Sequence, residues 1–239
     1  MQKTTIITGI SGQDGSYLAK LLLSKNYRVI GVRRPNAPTD LWRFSELGIS
    51  QDVEMLDINL QDKEEIISAL QKVKPEIIIH MAAQPLVRES YSSPLLTYET
   101  NVMGTVKLLE IAKKIKSLKN IMIFTSDKVY KNLDKKSLNE SSPLGGEDPY
   151  SASKSAQDLI SNSYKLSFFK RKKNVFLIRA GNIVGGGDWE KSRLIPDLFL
   201  SNFNKKNIYL RNPNATRPWQ HVLDVVEGIL RLLSVKVIS

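Results

Sequence analysis

Tyr150 and Lys154 stand four residues apart in the run Pro149-Tyr-Ser-Ala-Ser-Lys154, downstream of a glycine-rich segment, Gly9-x-x-Gly12-x-x-Gly15. Residues four apart on a helix share a face, so a phenol and an ammonium here would look into the same cleft. A nearby positive charge draws a phenol down from its ordinary value of ~10. Tyr150 is therefore suited to take a proton from a hydroxyl while hydride leaves the same carbon. Lys154 can also hold the ribose hydroxyls of a dinucleotide, and Thr125 is placed to hydrogen-bond the reacting oxygen. Asp127 and Lys128 narrow the chemistry. Eliminating water beside a new ketone needs an acid at the departing hydroxyl and a base at the adjacent carbon. Asp127 is the candidate acid, and Lys128 the candidate base or an electrostatic aid to the enolate. The same two residues also suit a strand-end turn with a solvated lysine.

These groups need a scaffold, and the hydrophobic pattern supplies one. Short apolar runs at 3–8, 28–33, 52–55, 76–81, 120–125 and 174–179 predict six strands. Helices are predicted from the glycine segment through Leu23, and over 62–72, 95–116 and 150–169. Strands alternating with helices of this length indicate an α/β fold: a Rossmann-like parallel sheet with helices on both faces, joined by right-handed crossovers. Its dinucleotide-binding domain is expected over residues 1–180. In such sheets ligands bind beyond the carboxyl ends of the strands. Beyond Gly181, glycines and prolines interrupt shorter elements: a helix over 194–203, a strand over 207–210 and a helix over 223–233. Residues 181–239 read as a small, partial substrate-binding lobe.

Glycines at 9, 12 and 15 after the first strand let the backbone approach a pyrophosphate, whose charge meets the free amides of the helix terminus. Gln13 and Asp14 belong to the same candidate cofactor loop. Arg33 and Arg34 end the second strand, where an NAD enzyme usually places an acid; arginine there can pair with a 2′-phosphate. NADP is thus favoured over NAD, with surface arginines as the alternative. Asp57 is a candidate acceptor for the adenine amine, or a helix N-cap. Ala82 and Ala83 offer small residues where a nicotinamide ribose or diphosphate would pass, and Gln84 follows as a candidate substrate contact.

Bulk properties set outer bounds. The chain has 239 residues, no cysteine and a net charge of +11. Absent thiols exclude a disulfide scaffold, thiolate catalysis and cysteine-held metal, and two lone histidines, His80 and His221, argue against a metal site. The charge comes from scattered lysines, and the Lys170-Arg-Lys-Lys173 cluster lacks the aromatic interleaving of a single-strand binder. A solvated surface is expected rather than a nucleic-acid face, with a positive field that attracts nucleotide-linked substrates. No run reaches the ~18 apolar residues of a membrane span, and no signal-peptide pattern opens the chain. A cytoplasmic location is expected.

Several longer segments resemble a known family. Ile7-Thr-Gly-Ile-Ser-Gly-Gln-Asp-Gly-Ser-Tyr-Leu18 and Gly31-Val-Arg-Arg34 resemble the GDP-mannose 4,6-dehydratases, which use NADP. Ala82-Ala-Gln-Pro-Leu-Val87, Thr125-Ser-Asp-Lys-Val-Tyr130, Arg179 to Trp189 and Arg211 to His221 resemble the CDP-glucose 4,6-dehydratases. Both lie in the nucleotide-sugar dehydratase and epimerase group of the extended short-chain dehydrogenase/reductases. The resemblance implies an active-site trio of Thr125, Tyr150 and Lys154, with Asp127 and Lys128 as the dehydratase's extra acid/base pair. It further implies a structural role for Asn101, a place near the sugar diphosphate for Asn182, and diphosphate binding by Arg217. Both of the last two also suit loop stabilisation, and His221 and Asp224 suit fastening of the second lobe. A tightly bound, recycled dinucleotide and a homodimer built on the 95–116 and 150–169 helices follow from the same likeness. The expected activity is 4,6-dehydration of CDP-glucose. A GDP-mannose substrate, 4-epimerisation, or ligand binding without full activity in a chain whose substrate lobe is partial are the alternatives.

Overall fold

The computed structural model describes residues 2–33, 41–58, 63–131, 137–170, 172–190, 193–208, 210 and 212–235, the side chains of Lys63 and Glu65 excepted. Six parallel strands form one sheet: β1 (Thr4–Thr8), β2 (Arg28–Arg33), β3 (Glu54–Asp57), β4 (Ile77–His80), β5 (Asn120–Phe124) and β6 (Asn174–Ile178), in the order β3-β2-β1-β4-β5-β6. The order reverses between β1 and β4, which opens a crevice at their carboxyl ends. All six expected strands are present.

Isoleucine-rich strands alternate between two apolar faces, as period-two geometry requires. Ile6, Ile30, Ile78, Ile121 and Ile123 join one core; Ile7, Val29, Ile77, Ile79, Met122 and Phe124 join the other. The first face is covered by α3 (Lys63–Val73) and α6 (Gly104–Lys114), with α7 (Pro149–Tyr164) packed beside α6. The second is covered by α1 (Gln13–Ser24), the short α2 (Trp42–Glu46) and α9 (Val222–Ser234).

Three departures from the sequence reading have physical causes. The helix expected over 95–116 is broken into α5 (Pro94–Tyr98), a π turn (Glu99–Met103) and α6, preceded by α4 (Val87–Ser92). The wider π turn places Asn101, which is wholly buried, against Gln84 and Ser153. A strand over 207–210 is not formed: Asn207, Ile208 and Leu210 lie outside any strand, and Tyr209 is outside the described residues. Instead β7 (Asn182–Val184) pairs in parallel with β8 (Trp219–His221) as a separate two-stranded sheet, and α8 (Leu194–Phe203), between them in the chain, is largely exposed. Finally, α9 does not sit in a second lobe. Val222, Val225, Val226 and Ile229 are buried in the core cluster that also holds Leu18, Ala19 and Leu22 of α1. No helix among the described residues is long and apolar enough to cross a membrane.

If α9 is part of the sheet's own core, then Ile229→Ala, at a site 1% exposed, should cost about 2–5 kcal/mol of stability. Urea denaturation measures this, and a loss under about 0.5 kcal/mol, the scale of a surface substitution, would place the helix outside the core.

Candidate active site

Helix α7 begins at Pro149 because the preceding residue caps it. The Asp148 carboxylate accepts the Ser151 amide at 2.9 Å, and proline occupies the first helical position, where no amide hydrogen is needed. The Tyr150 amide donates to Ser90 Oγ at 3.1 Å, which ties the helix start to α4. One turn on, the Lys154 ammonium is buried, donating to the Phe124 carbonyl at 3.0 Å and to Gln157 Oε1 at 2.9 Å. Burial in this apolar setting pulls it down to about 7.

Tyr150 is also buried, and burial raises its phenol above the ordinary value. A hydrogen bond with Ser126 works against that rise, Asp127 adds to it, Arg193 opposes it and Asp148 adds again. This corrects the expectation that Lys154 draws the phenol down. The ammonium is committed to a carbonyl and an amide oxygen, while Ser126 and Arg193 are what favour the phenolate.

The hydroxyl beside Tyr150 is likewise a correction. Thr125 continues the alternation of β5, in which Ile121 and Ile123 point toward the α6–α7 face, so its side chain passes beneath α7. There it donates to Asp158 Oδ2 and to the Ile178 carbonyl, both at 3.2 Å. Asp158 is buried and paired bidentately with Arg179 at 2.9 and 2.8 Å. Ser126 points the other way. Its hydroxyl lies beside Tyr150, donates to Asp127 Oδ1 at 2.9 Å and accepts the Lys128 amide at 3.2 Å, starting a 3-10 turn over Asp127–Val129. Thus the end of β5 brings Ser126 and Asp127 to Tyr150 at the start of α7. Asp127 and Lys128 are both partly buried and 3.4 Å apart, and the Asp127 amide is fixed on the Ala180 carbonyl at 2.9 Å.

Around the crevice, Gly9 has φ +72°, and a Cβ there would lie 2.8 Å from the Ala82 amide nitrogen. The loop carrying Ala82 and Ala83 therefore lies directly on the glycine loop. Gly15 packs as tightly, its imaginary Cβ 2.6 Å from the Gly9 carbonyl. Helix α1 starts after Gly12 without a side-chain cap, so its first amides are available to an anion. A cradle of glycine backbone at an uncapped helix start fits a dinucleotide pyrophosphate. Gln13 and Asp14 point elsewhere. Gln13 Nε2 donates to the Gly185 and Gly186 carbonyls at 2.7 and 3.1 Å. The Asp14 carboxyl is pushed up to about 6 by burial, with Arg193 lowering it and Asp188 raising it. Those two form an ion pair at 2.9 Å, so Asp14 lies by the loop that follows β7.

Arg33 is not free for a phosphate. It pairs with Asp57 across β2 and β3, at 2.7 and 3.0 Å, and this bond lowers the Asp57 carboxyl. The pair occupies both the residue expected at a 2′-phosphate and the one expected at adenine. Arg34 lies outside the described residues. Gln84 is committed as well: both hydrogens of its amide are donated, to Leu86 O at 3.1 Å and Thr97 Oγ1 at 3.0 Å. It shapes the β4–α4 turn rather than presenting a donor to substrate. Asn182, in β7, keeps a buried Oδ1 with no protein partner among the described residues, as suits a ligand contact. Arg217 is exposed two residues before β8, its guanidinium 2.7 Å from the Thr216 carbonyl. Ser126, Arg193 and Asp188 are the site residues that the sequence reading missed. Only the adjacency of Ser126 to Thr125 offered a signal.

A profile of the family described as GDP-mannose 4,6-dehydratase matches residues 6–238. The chain belongs to the GDP-mannose 4,6-dehydratase family. It is similar to a CDP-glucose 4,6-dehydratase of Salmonella typhimurium, 41% identical over 95% of this chain and 65% of that protein. A GDP-mannose 4,6-dehydratase of Vibrio cholerae is 29% identical over 95% of this chain and 63% of that one. In structure the chain resembles the dTDP-glucose 4,6-dehydratase of Bacillus anthracis solved with NAD, at TM-score 0.83 and 26% identity, over 97% of this chain and 71% of that one. The chain spans less than two thirds of the length of these two curated relatives.

One consequence concerns pH. His80, at the end of β4, is wholly buried and held down to about 3, first by burial and then by the Lys154 charge. Its folded value lies below the ordinary 6.5, so between the two the unfolded chain binds more protons. Stability is therefore present above pH 6.5 and lost as pH falls toward 3, with a limiting slope of about 1.4 kcal/mol per pH unit from this residue. Urea denaturation across this range should show the loss, and His80→Gln should flatten it.

Proposed function

We propose that this chain carries the catalytic half of a nucleotide-hexose 4,6-dehydratase acting on CDP-glucose. Supporting the reaction type is the meeting of Tyr150, Ser126 and the Asp127–Lys128 pair at the end of β5. The Salmonella typhimurium likeness, at 41% identity, favours the cytidine nucleotide. When bound along Gly9, Gly12 and the start of α1, a nicotinamide dinucleotide supplies the hydride acceptor and donor. Lys154 has a third N–H beyond its two protein partners, and that donor suits the ribose hydroxyls. Tyr150 takes the proton of the sugar's 4-hydroxyl, with Ser126 steadying the oxygen as its charge changes. Asp127 gives a proton to the departing 6-hydroxyl, and Lys128 removes the C5 proton or stabilises the enolate that its removal leaves. Asn182 and Arg217 hold the diphosphate; a fork of guanidinium donors matches phosphate oxygens. The product is a 4-keto-6-deoxy sugar, and the net change is loss of one water.

NADP is the cofactor we favour, on the basicity of the Arg33–Arg34 segment; the Arg33–Asp57 pair must then open or share its guanidinium. We also propose a cytoplasmic homodimer, because Leu95, Leu96, Leu159, Leu166 and Phe168, on and beside α5 and α7, are exposed large apolar side chains. Residues 181–221, with β7, β8 and α8, form the partial substrate lobe.

Incubation with CDP-glucose, GDP-mannose and UDP-glucose, followed by mass spectrometry, tests the reading. Loss of one water from CDP-glucose is expected; unchanged mass with altered sugar configuration would replace it with epimerisation. Asp127→Asn should impair water loss more than the initial oxidation, followed by dinucleotide absorbance, and equal impairment would remove Asp127 from its role. Ser126→Ala should reduce kcat about 10²-fold or more, on the scale of a lost oxyanion donor. Thr125→Val should act on stability instead, through the uncovered Asp158.

A further inference from the structure

A chain of buried side chains runs from the glycine loop to Lys154, and its hydrogen-bond directions are all determined. Thr8, His80, Thr105 and Gln157 are each at most 1% exposed. His80 lies 2.7 Å from Thr8 Oγ1 through Nδ1 and 3.0 Å from Thr105 Oγ1 through Nε2. Thr105 Oγ1 also lies 2.8 Å from the Asn101 carbonyl and 2.8 Å from Gln157 Nε2.

A carbonyl only accepts and an ammonium only donates, so the ends of this chain dictate its middle. The single Thr105 hydroxyl proton goes to the Asn101 carbonyl. Thr105 Oγ1 must then accept twice, from His80 Nε2–H and from the Gln157 amide. His80 is therefore the Nε2–H tautomer, with a bare Nδ1 that accepts from the Thr8 hydroxyl. Thr8 in turn accepts the Ala82 amide at 3.2 Å. Having given its NH2 to Thr105, Gln157 presents only its oxygen to Lys154, 2.9 Å away. Were the amide reversed, its NH2 would oppose the ammonium and its oxygen would face Thr105 Oγ1, whose one proton is already given to the Asn101 carbonyl. All the parts lie on one side of the sheet: Thr8 and His80 follow the alternation of Ile6 and Ile78, toward α6 and α7.

We propose that Thr105 is a positioning residue, which through Gln157 fixes the acceptor that holds the Lys154 ammonium at the end of β5. The reading of Lys154 as part of the chemistry gives this its purpose, but the arrangement can be tested without turnover. The other charged or titratable groups on the elements packed against α7 are Arg88, Glu89 and Tyr91 of α4, Tyr98 of α5, Glu99 of the π turn, Lys107, Glu110, Lys113 and Lys114 of α6, His80 of β4, Asp127 and Lys128 after β5, Lys165 and Arg179 beyond α7, and Tyr150, Asp158 and Tyr164 of α7 itself. Asp158 is neutralised by Arg179, which leaves Gln157 as the side-chain acceptor that Lys154 uses.

The experiment is a pH titration of 13Cε-lysine resonances by NMR, with Lys154 assigned from Lys154→Met and every variant checked for folding by thermal denaturation. Wild-type Lys154 should titrate near its shifted value of about 7, apart from the exposed lysines. Thr105→Val frees Gln157 to reverse, and the midpoint should fall. Thr105→Ser keeps the hydroxyl and should restore the wild-type midpoint. Gln157→Leu should lower the midpoint, whereas Gln157→Glu sets a carboxylate beside the ammonium and should raise it by about one pH unit or more. A wild-type midpoint in Thr105→Val, or equal shifts in Thr105→Val and Thr105→Ser, overturns the role of Thr105. Should Thr105→Val not fold, Gln157→Leu and Gln157→Glu decide: unchanged midpoints in both overturn the proposal. Failure of the dehydratase reading would show as no turnover on any nucleotide sugar with these midpoint shifts intact.

Discussion

A lysine ammonium taken out of water is the constraint on which this site rests. Burying an uncompensated charge is costly, so the fold must bring oxygen acceptors to it. One is the Phe124 carbonyl, at the last residue of β5. Another is Gln157, on the same helix and one turn further along. For both to reach Lys154, α7 must cross the carboxyl end of β5 at a set height and rotation. The Asp148 cap, Pro149 and the bond from the Tyr150 amide to Ser90 fix where that helix begins. Tyr150 then falls one turn before Lys154, at the point where the chain leaving β5 turns back through Ser126 and Asp127. The placement of Tyr150 beside Ser126 and Asp127 thus follows from seating one charge.

The opposite wall of the crevice is held by different means. Gln13 bonds the carbonyls of Gly185 and Gly186, and Arg43 bonds those of Gly187 and Ser11 at 2.8 and 3.1 Å. The bonds to 185–187 cross more than a hundred residues of sequence, and with the Arg43–Ser11 bond they pin that loop to the glycine loop. Behind it, α9 seals the second core face against α1. A ligand entering here meets one wall made by α7 and one made by loops that short polar contacts stitch together. The first wall is a packed helix. The second consists of backbone carbonyls that Gln13 and Arg43 hold in place.

The strands were legible because runs such as Ile77-Ile-Ile79, buried on both faces, have few other places to go. Tyr150 and Lys154 were legible because four-residue spacing on a helix survives any tertiary arrangement. Which of two adjacent hydroxyls meets Tyr150 was not, since that depends on the parity with which β5 exits the sheet. Thr125 keeps the strand's alternation and is captured by Asp158, and Ser126 takes the active-site position. The pairing of Arg33 with Asp57 was hidden for a related reason: it arises from the register of β2 on β3, where the two residues are direct partners. Nor does a one-residue widening of helix at Glu99–Met103 leave a mark in apolar periodicity, though it sets Asn101. Burial of α9 was missed because proline and glycine upstream signalled a new lobe, while the core had an uncovered face to fill.

Tyr150 and Lys154 also turn out to divide the electrostatic work differently from the simple picture of a cation beside a phenol. Burial acts on both groups and favours the neutral form of each, raising the phenol and bringing the ammonium down to about 7. Near neutrality the pair therefore carries less charge than Lys154 alone would in water. A phenol so placed gives up its proton only when something other than Lys154 favours the phenolate. The protein provides two such influences, the Ser126 hydrogen bond and the Arg193 charge. Arg193 precedes α8, and its ion pair with Asp188 spans the loop after β7, so the influence on Tyr150 depends on how that loop sits. The Tyr150 phenol is thereby linked to the loop after β7, whereas the Lys154 ammonium is held from the other side, by Gln157 and the Phe124 carbonyl.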